Sequence, residues 1–250
     1  MTVQNHRDLL LKLKLMIPER VYRVATLPVA AGLRMLPDRF KYERGIKTRK
    51  ARFPYAVIGE GSVVMQIGAP SDLLSVGRSR AGYFLHMVGP NGKVVVLEPD
   101  EINCDALQAF ADRNGLSDRL VLVRKGGWNI EKVLHFYQSR KHPASAVLVE
   151  LSEASPEEME RRGYRVMDVP VTTVDAVYEE HNLPVPRLIS ITTNGAELQI
   201  LEGMAETFKT GPEFISLAIT GDGYVETMPS YGYEHHADDD RGFTFRRSAS

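Results

Sequence analysis

The chain has 250 residues, 43% hydrophobic and 25% charged, which fits one large globular domain plus an extension. Its one cysteine, Cys104, excludes an intrachain disulfide, and no uncharged apolar run reaches the ~18 residues of a membrane span. The net charge of −1 conceals an asymmetry: residues 1–52 carry 13 Lys and Arg against 4 Asp and Glu, and the rest 18 against 28. The N-terminal segment lacks the order of basic region, apolar run and small-residue cleavage site of a signal peptide, so a cytoplasmic protein is expected.

Residues 7–36 hold two apolar periodic stretches broken by Pro18 and Pro28, with Arg20, Arg23 and Arg34 opposite the apolar face. They read as an N-terminal helical arm that packs on the body or across a homo-oligomer, or as a peripheral membrane helix. Residues 39–52 read as a solvated connector. No aromatic-interleaved or zinc-ligand module accompanies this charge, so no nucleic-acid partner is expected. The expected organisation is an arm and connector over residues 1–52 and one domain over residues 53–250.

From residue 62 the pattern alternates between strand and helix. Ser62–Ile67 is a short apolar run ending in Gly68, and Arg78–Val88 is helix-like. Lys93–Leu97 is a β-branched strand, residues 101–114 are helical with Gly115 as a stop, and Leu120–Val123 is a third strand. Ala146–Leu151 and Val169–Thr172 read as extended and Val174–His181 as helical. Leu188–Thr192 reads as a strand leading into one helix that carries Glu197, Ile200, Leu201, Met204 and Phe208. Glu213–Ala218 is a further strand, residues 235–240 read as a loop, and Gly232-Tyr233 with Gly242–Phe245 form a late antiparallel pair at one edge. Repeated βα units predict an α/β fold, a mostly parallel sheet with helices on both faces.

In such sheets, ligands sit outside the carboxyl ends of the strands, where the strand order reverses. The first strand ends at Gln66-Ile67-Gly68-Ala69 and the second at Glu98. A glycine there admits close backbone approach, and an acidic residue at the second tip can accept hydrogen bonds from both hydroxyls of a ribose. The loop after the first strand is not the G-x-G-x-x-G of pyrophosphate binders, which disfavours a dinucleotide and a dehydrogenase. It leaves S-adenosylmethionine, a nucleoside ligand without phosphate. No nucleophile–base pair, HExxH or cysteine cluster is present, so neither hydrolase chemistry nor a metal is expected.

Three segments carry a resemblance to a known family: GKVVVLEPDEINCDALQAFADRNGL, KGGWN at residues 125–129, and VTTVDAVYEEHNLPVPRLISITTNGAELQILEGM at residues 171–204. Together they resemble the FkbM-type methyltransferases over about residues 53–247. The resemblance implies a Rossmann-like, class I fold and S-adenosylmethionine-dependent O-methylation of a hydroxyl on a small molecule or saccharide. It implies donor contacts at Gly68 and Ala69, ribose binding by Glu98, and adenine-side contacts at Gly126, Gly127 and Trp128. Gln66 stands where the family carries an acidic residue. The family's Lys-Ile-Asp-x-Glu-Gly reads Ser190-Ile191-Thr192-Thr193-Asn194-Gly195 here, so three ionisable positions are neutral.

Methyl transfer asks mainly for alignment and desolvation, although a hydroxyl acceptor benefits from a base. His86, His135, His142 and Glu197 are available, and Asn194 and Glu197 are expected to line the acceptor pocket. The neutralised strand end leaves a second expectation, a catalytically degenerate relative that serves as a binding or assembly module.

Overall fold

The computed structural model describes residues 38–69, 80–139, 146–149, 154–193, 195–218 and 223–248. The proposed arm at residues 7–36 lies outside them. By its internal contacts the chain divides into Met1–Arg44 and Gly45–Ser250. In chain order the elements are α1 (Asp38–Arg49), β1 (Val63–Ile67), α2 (Ala81–Met87), β2 (Lys93–Leu97), α3 (Glu101–Arg113) and β3 (Leu120–Val123). Next come β4 (Gly126–Gly127), β5 (Lys132–Ser139), β6 (Ala146–Leu148), α4 (Pro156–Arg161), β7 (Tyr164–Thr172) and α5 (Val174–His181). The last are β8 (Leu188–Ile191), α6 (Glu197–Glu202), α7 (Ala205–Thr210), β9 (Phe214–Leu217), α8 (Gly223–Thr227), β10 (Tyr233–Asp238) and β11 (Phe243–Arg247).

The main sheet has seven strands in the order β10-β11-β9-β8-β1-β2-β3. Strands β9, β8, β1, β2 and β3 are parallel, and β11 joins β9 and β10 antiparallel. The order reverses at β1, which pairs with β2 on one side and β8 on the other. One sheet face carries Met65, Ile67, Val95, Leu97, Ile189, Ile191, Ile215, Leu217 and Phe245, packed with Val174 and Val177 of α5 and Ile200 and Leu201 of α6. Burying β-branched and leucine side chains of this size stabilises by roughly 1.5–3 kcal/mol each.

The opposite face holds a polar row. Gln66, Ser190, Ser216 and Thr244 are register partners across β1, β8, β9 and β11, and all are buried. Arg80, just before α2, lies on that row. Its Nη1 donates to Ser190 Oγ (3.0 Å) and Ser216 Oγ (2.6 Å), its Nη2 to Asp239 Oδ1 (2.9 Å), and its Nε to Asp240 Oδ1 (3.1 Å). The second oxygen of Asp240 accepts from Tyr55 OH at 2.9 Å. The hydroxyls are there because a buried guanidinium needs every donor satisfied.

Four expectations are corrected. A second sheet, in the order β4-β7-β5-β6, stands apart from the main one; β5 has apolar side chains on both faces, Val133 and Tyr137 against Leu134 and Phe136, which erases the period-2 signal. The expected single helix over residues 197–208 is two. A Cβ on Gly203 would lie 2.2 Å from the Trp128 carbonyl oxygen, and beyond this crossing α7 starts afresh, its Glu206 and Thr207 N–H groups capped by the Asp175 carboxylate. The expected connector at residues 39–52 is largely α1; its last turn carries Lys47 and Arg49 at the negative end of the helix dipole, and Arg49 lies 4.4 Å from the Tyr83 ring centre. Likewise residues 235–238, expected as loop, belong to β10.

Burial alone raises the Asp239 carboxyl, but the Arg80 guanidinium and the Ser216, Arg241 and Thr244 donors outweigh it and hold the group below its ordinary value of 3.8. A carboxyl depressed by folding stabilises above its unfolded value, and that contribution is lost as pH falls through the folded value. Urea denaturation should therefore show the parent losing stability below about pH 4 more steeply than Asp239→Asn. Arg80→Ala, which leaves Asp239 buried without its cation, should cost about 3–5 kcal/mol. Arg80→Lys should recover only part of that, lacking the planar fork. A parent-like urea midpoint in Arg80→Ala would show that the network does not hold the fold.

Candidate functional site at the carboxyl edge

The parallel strands end in one line. Ala218 N–H donates to Ile191 O, Thr192 N–H to Ile67 O, Gly68 N–H to Leu97 O, and Glu98 N–H to Val123 O. This edge, beside the reversal at β1, is where an open α/β sheet takes its ligand. The groups it presents are Gln66, Gly68, Ala69, Glu98, Thr192, Thr193 and Glu197.

Glu98 follows the buried residues Val94–Leu97 and is 6% exposed. Its Oε2 accepts from Ala69 N–H at 2.6 Å, and its Oε1 from Asp100 N–H and Asn103 Nδ2, both at 3.1 Å. Burial pushes this carboxyl above the usual range, against the pull of those three donors. A carboxylate offers about four lone-pair positions, and the described residues fill three of them, leaving one on Oε2. Below it, the Cys104 thiol donates to Glu98 O at 3.1 Å, and burial pushes that thiol up to about 12, which makes it inert.

Gln66 is fully buried and spans from β1 to the end of β8. Its Nε2 donates to Gly68 O (2.8 Å) and Thr192 Oγ1 (2.7 Å), while Oε1 has no hydrogen-bond partner. Thr193 Oγ1 is likewise buried without a partner. Gly68 adopts φ +84°, and a Cβ there would sit 2.4 Å from the Thr192 carbonyl oxygen. Glu197, at the start of α6, is 2% exposed and accepts no hydrogen bond among the described residues. No Lys or Arg among the described residues hydrogen-bonds Gln66, Glu98, Thr192, Thr193 or Glu197.

Gly127 is packed, not open: a Cβ would lie 3.0 Å from Ile67 and 3.2 Å from Ile200, while at Gly126 it would meet Val171 and Pro99. Trp128 is partly buried and packs on Leu134, Val169 and Val171 of the second sheet. His86 lies in the last turn of α2, away from the carboxyl edge. His135 pairs with Asp168 (Nδ1 to Oδ1, 2.8 Å) on the exposed face of the second sheet. Asn194 and His142 lie outside the described residues. Sequence reading missed Asn103, Thr192 and Thr193 as neighbours of the edge, and Arg80 as its support.

The strand order, the reversal at β1 and the acidic tip of β2 define a Rossmann-like fold of the class I methyltransferase type. The chain belongs to the FkbM methyltransferase family: the sequence model described as "Methyltransferase FkbM domain" matches residues 66–236. Among solved structures, it is similar to methyltransferase FkbM from Methylobacillus flagellatus KT, at 16% identity and a TM-score of 0.47, over 90% of this chain and 59% of that one. It is also similar to a methyltransferase from Geobacter sulfurreducens, at 13% identity and a TM-score of 0.44, over 97% and 96% of the two chains. Aeropyrum pernix fibrillarin, solved with natively bound S-adenosyl-L-methionine, aligns at 10% identity and a TM-score of 0.46, over 82% and 74%. No curated protein matches the sequence. No helix among the described residues is long and apolar enough to cross a membrane.

The approach of Gly68 to Thr192 gives a test of the edge. Gly68→Ala should cost about 1–3 kcal/mol, since positive-φ strain is joined by a backbone clash. Gly61→Ala is the control, with φ +79° but nothing within 4 Å of the added Cβ, and should cost only about 1–2 kcal/mol. Equal midpoints for the two in urea would show that β8 gives way freely at Thr192.

Proposed function

We propose that this chain is an S-adenosylmethionine-dependent methyltransferase acting on a hydroxyl of a small molecule or saccharide. The observation that carries the reading is an acceptor-rich carboxyl edge with a buried carboxylate at the tip of β2 and, among the described residues, no bonded cation. Such an edge suits a ligand that brings hydroxyl and ammonium donors and a positive sulfonium, and suits a pyrophosphate poorly. When bound, S-adenosylmethionine supplies an activated methyl group on that sulfonium. Glu98 would hold the ribose through its remaining lone pair, with Gly68 and Ala69 alongside. The unpartnered Gln66 Oε1 supports an ammonium contact there, and Gly127 and Trp128 would border the adenine. Glu197, Asn194 and His142 would serve the acceptor, with Glu197 as the best-placed base. Family membership supports methyl transfer, and the hydroxyl acceptor is part of this proposal. Contact of residues 1–52 with a membrane, a protein or a second copy belongs to the same proposal.

A second reading, a binding or assembly module without catalysis, draws on the neutral residues Ser190, Thr192 and Asn194 of the strand-end motif and on the internal use of three Glu98 lone pairs. Calorimetric titration separates the two. The parent should bind S-adenosylmethionine, and Glu98→Ala should bind about 30- to 1000-fold more weakly, the loss of charged hydrogen bonds worth roughly 2–4 kcal/mol. Circular dichroism should confirm that the variant is folded. Glu197→Gln should lower methyl transfer to a hydroxyl acceptor while leaving donor affinity nearly constant. No binding by the parent at millimolar ligand would favour the module, and undiminished binding by Glu98→Ala would remove Glu98 from the site.

A further inference from the structure

The second sheet also reaches the loop after β2 through a side-chain hydrogen bond. Gln138, near the end of β5, is buried, and its Nε2 donates to Asp100 Oδ2 at 3.1 Å. Its Oε1 accepts from Arg165 of β7, the register partner of Gln138, by Nε at 3.3 Å and Nη2 at 2.9 Å. The cation decides which way the amide faces: oxygen toward Arg165, nitrogen toward Asp100.

Asp100 is the residue through which α3 and Glu98 are joined. Its Oδ1 caps α3, accepting from Ile102 N–H at 2.9 Å and Asn103 N–H at 3.1 Å. Its own N–H donates to Glu98 Oε1, as does the side chain of the capped Asn103. Both donors that fix Oε1 are thus set by the position of Asp100. A chain of hydrogen bonds runs from the exposed Arg165 through Gln138 and Asp100 to the buried Glu98, with a charged group at three of its four positions.

We propose that Gln138 is a positioning residue for the donor site, holding the Glu98 carboxylate at the angle that nucleoside binding needs, with Arg165 orienting Gln138. This rests on the reading of Glu98 as the ribose ligand. Donor affinity is then a property of both sheets, and a change in the second sheet is felt at the tip of β2.

A thermodynamic cycle on the full-length chain tests this, with S-adenosylhomocysteine as the calorimetric probe. Gln138→Leu should weaken binding about tenfold and Arg165→Leu somewhat less. In a Glu98→Ala background, Gln138→Leu should add no more than about a twofold change, because a residue that acts through Glu98 has nothing left to act on. Val133→Ala, on the exposed opposite face of β5, should leave affinity unchanged and controls for the sheet itself. If Gln138→Leu does not fold, Gln138→Asn takes its place, shortening the reach to Asp100 while keeping the amide. Parent-like affinity in the single variant, or losses that add in the double variant, would overturn the positioning role alone. No binding of the probe by the parent would overturn the donor-site reading and this inference with it.

Discussion

One buried guanidinium organises the half of the sheet that the ligand edge depends on. Arg80 has no water to solvate it, so its charge must be met by Asp239 and Asp240, both placed by the turn between β10 and β11. That requirement sets the late hairpin against β9 and fixes the start of α2. The hydroxyls of Ser190, Ser216 and Thr244 complete the shell. A residue with a larger or apolar side chain in that row would strand a donor, at a cost of several kcal/mol for a charged group. The two parallel strands flanking the reversal on this side, β8 and β9, are thereby held at the height where Thr192 and Ala218 can continue the edge line.

On the other side of β1 the organising group is Glu98, and the logic is inverted. Arg80 is a cation satisfied by side chains distant in sequence; Glu98 is an anion satisfied mostly by main-chain N–H groups and one amide close to it. Ala69 and Asp100 bracket the tip of β2 from the two adjoining loops, so the carboxylate ties the end of β1 to the start of α3. Its raised pKa records what that burial costs. A group that is strained toward neutrality yet held by three donors gains from any further donor brought to its free lone pair, which is the condition a ligand hydroxyl meets.

The central strands β1, β2, β8 and β9 were legible because they are short, apolar and buried on both faces, whereas β10 is largely exposed and its residues 235–238 read as loop. The tip of β2 was legible for the same reason: a lone Glu-Pro after four buried residues must emerge at the edge. In the second sheet Ala146–Leu148 and the end of β7 were legible as extended chain, but β5 was not, since Val133 and Tyr137 mask the alternation of Leu134 and Phe136. The helix break at Gly203 was hidden because helical periodicity carries through it; only the approach of Trp128, far away in sequence, forbids a Cβ there. Nor does local sequence pair Arg80 with Asp239, or Gln138 with Asp100. Long-range polar satisfaction leaves no periodic trace.

The neutral end of β8 has a physical reading once Gln66 and Thr192 are seen together. The family pattern places an acidic residue at each of these positions, on adjacent strand ends. Here both are neutral, and they hydrogen-bond each other at 2.7 Å. With both neutral, the Gln66 amide nitrogen is satisfied by the Thr192 hydroxyl, while Gln66 Oε1 keeps no partner among the described residues. The family's lysine is Ser190 here, and a cation still reaches that spot, because Arg80 Nη1 lies 3.0 Å from Ser190 Oγ. The acids that balance Arg80 come from the turn between β10 and β11.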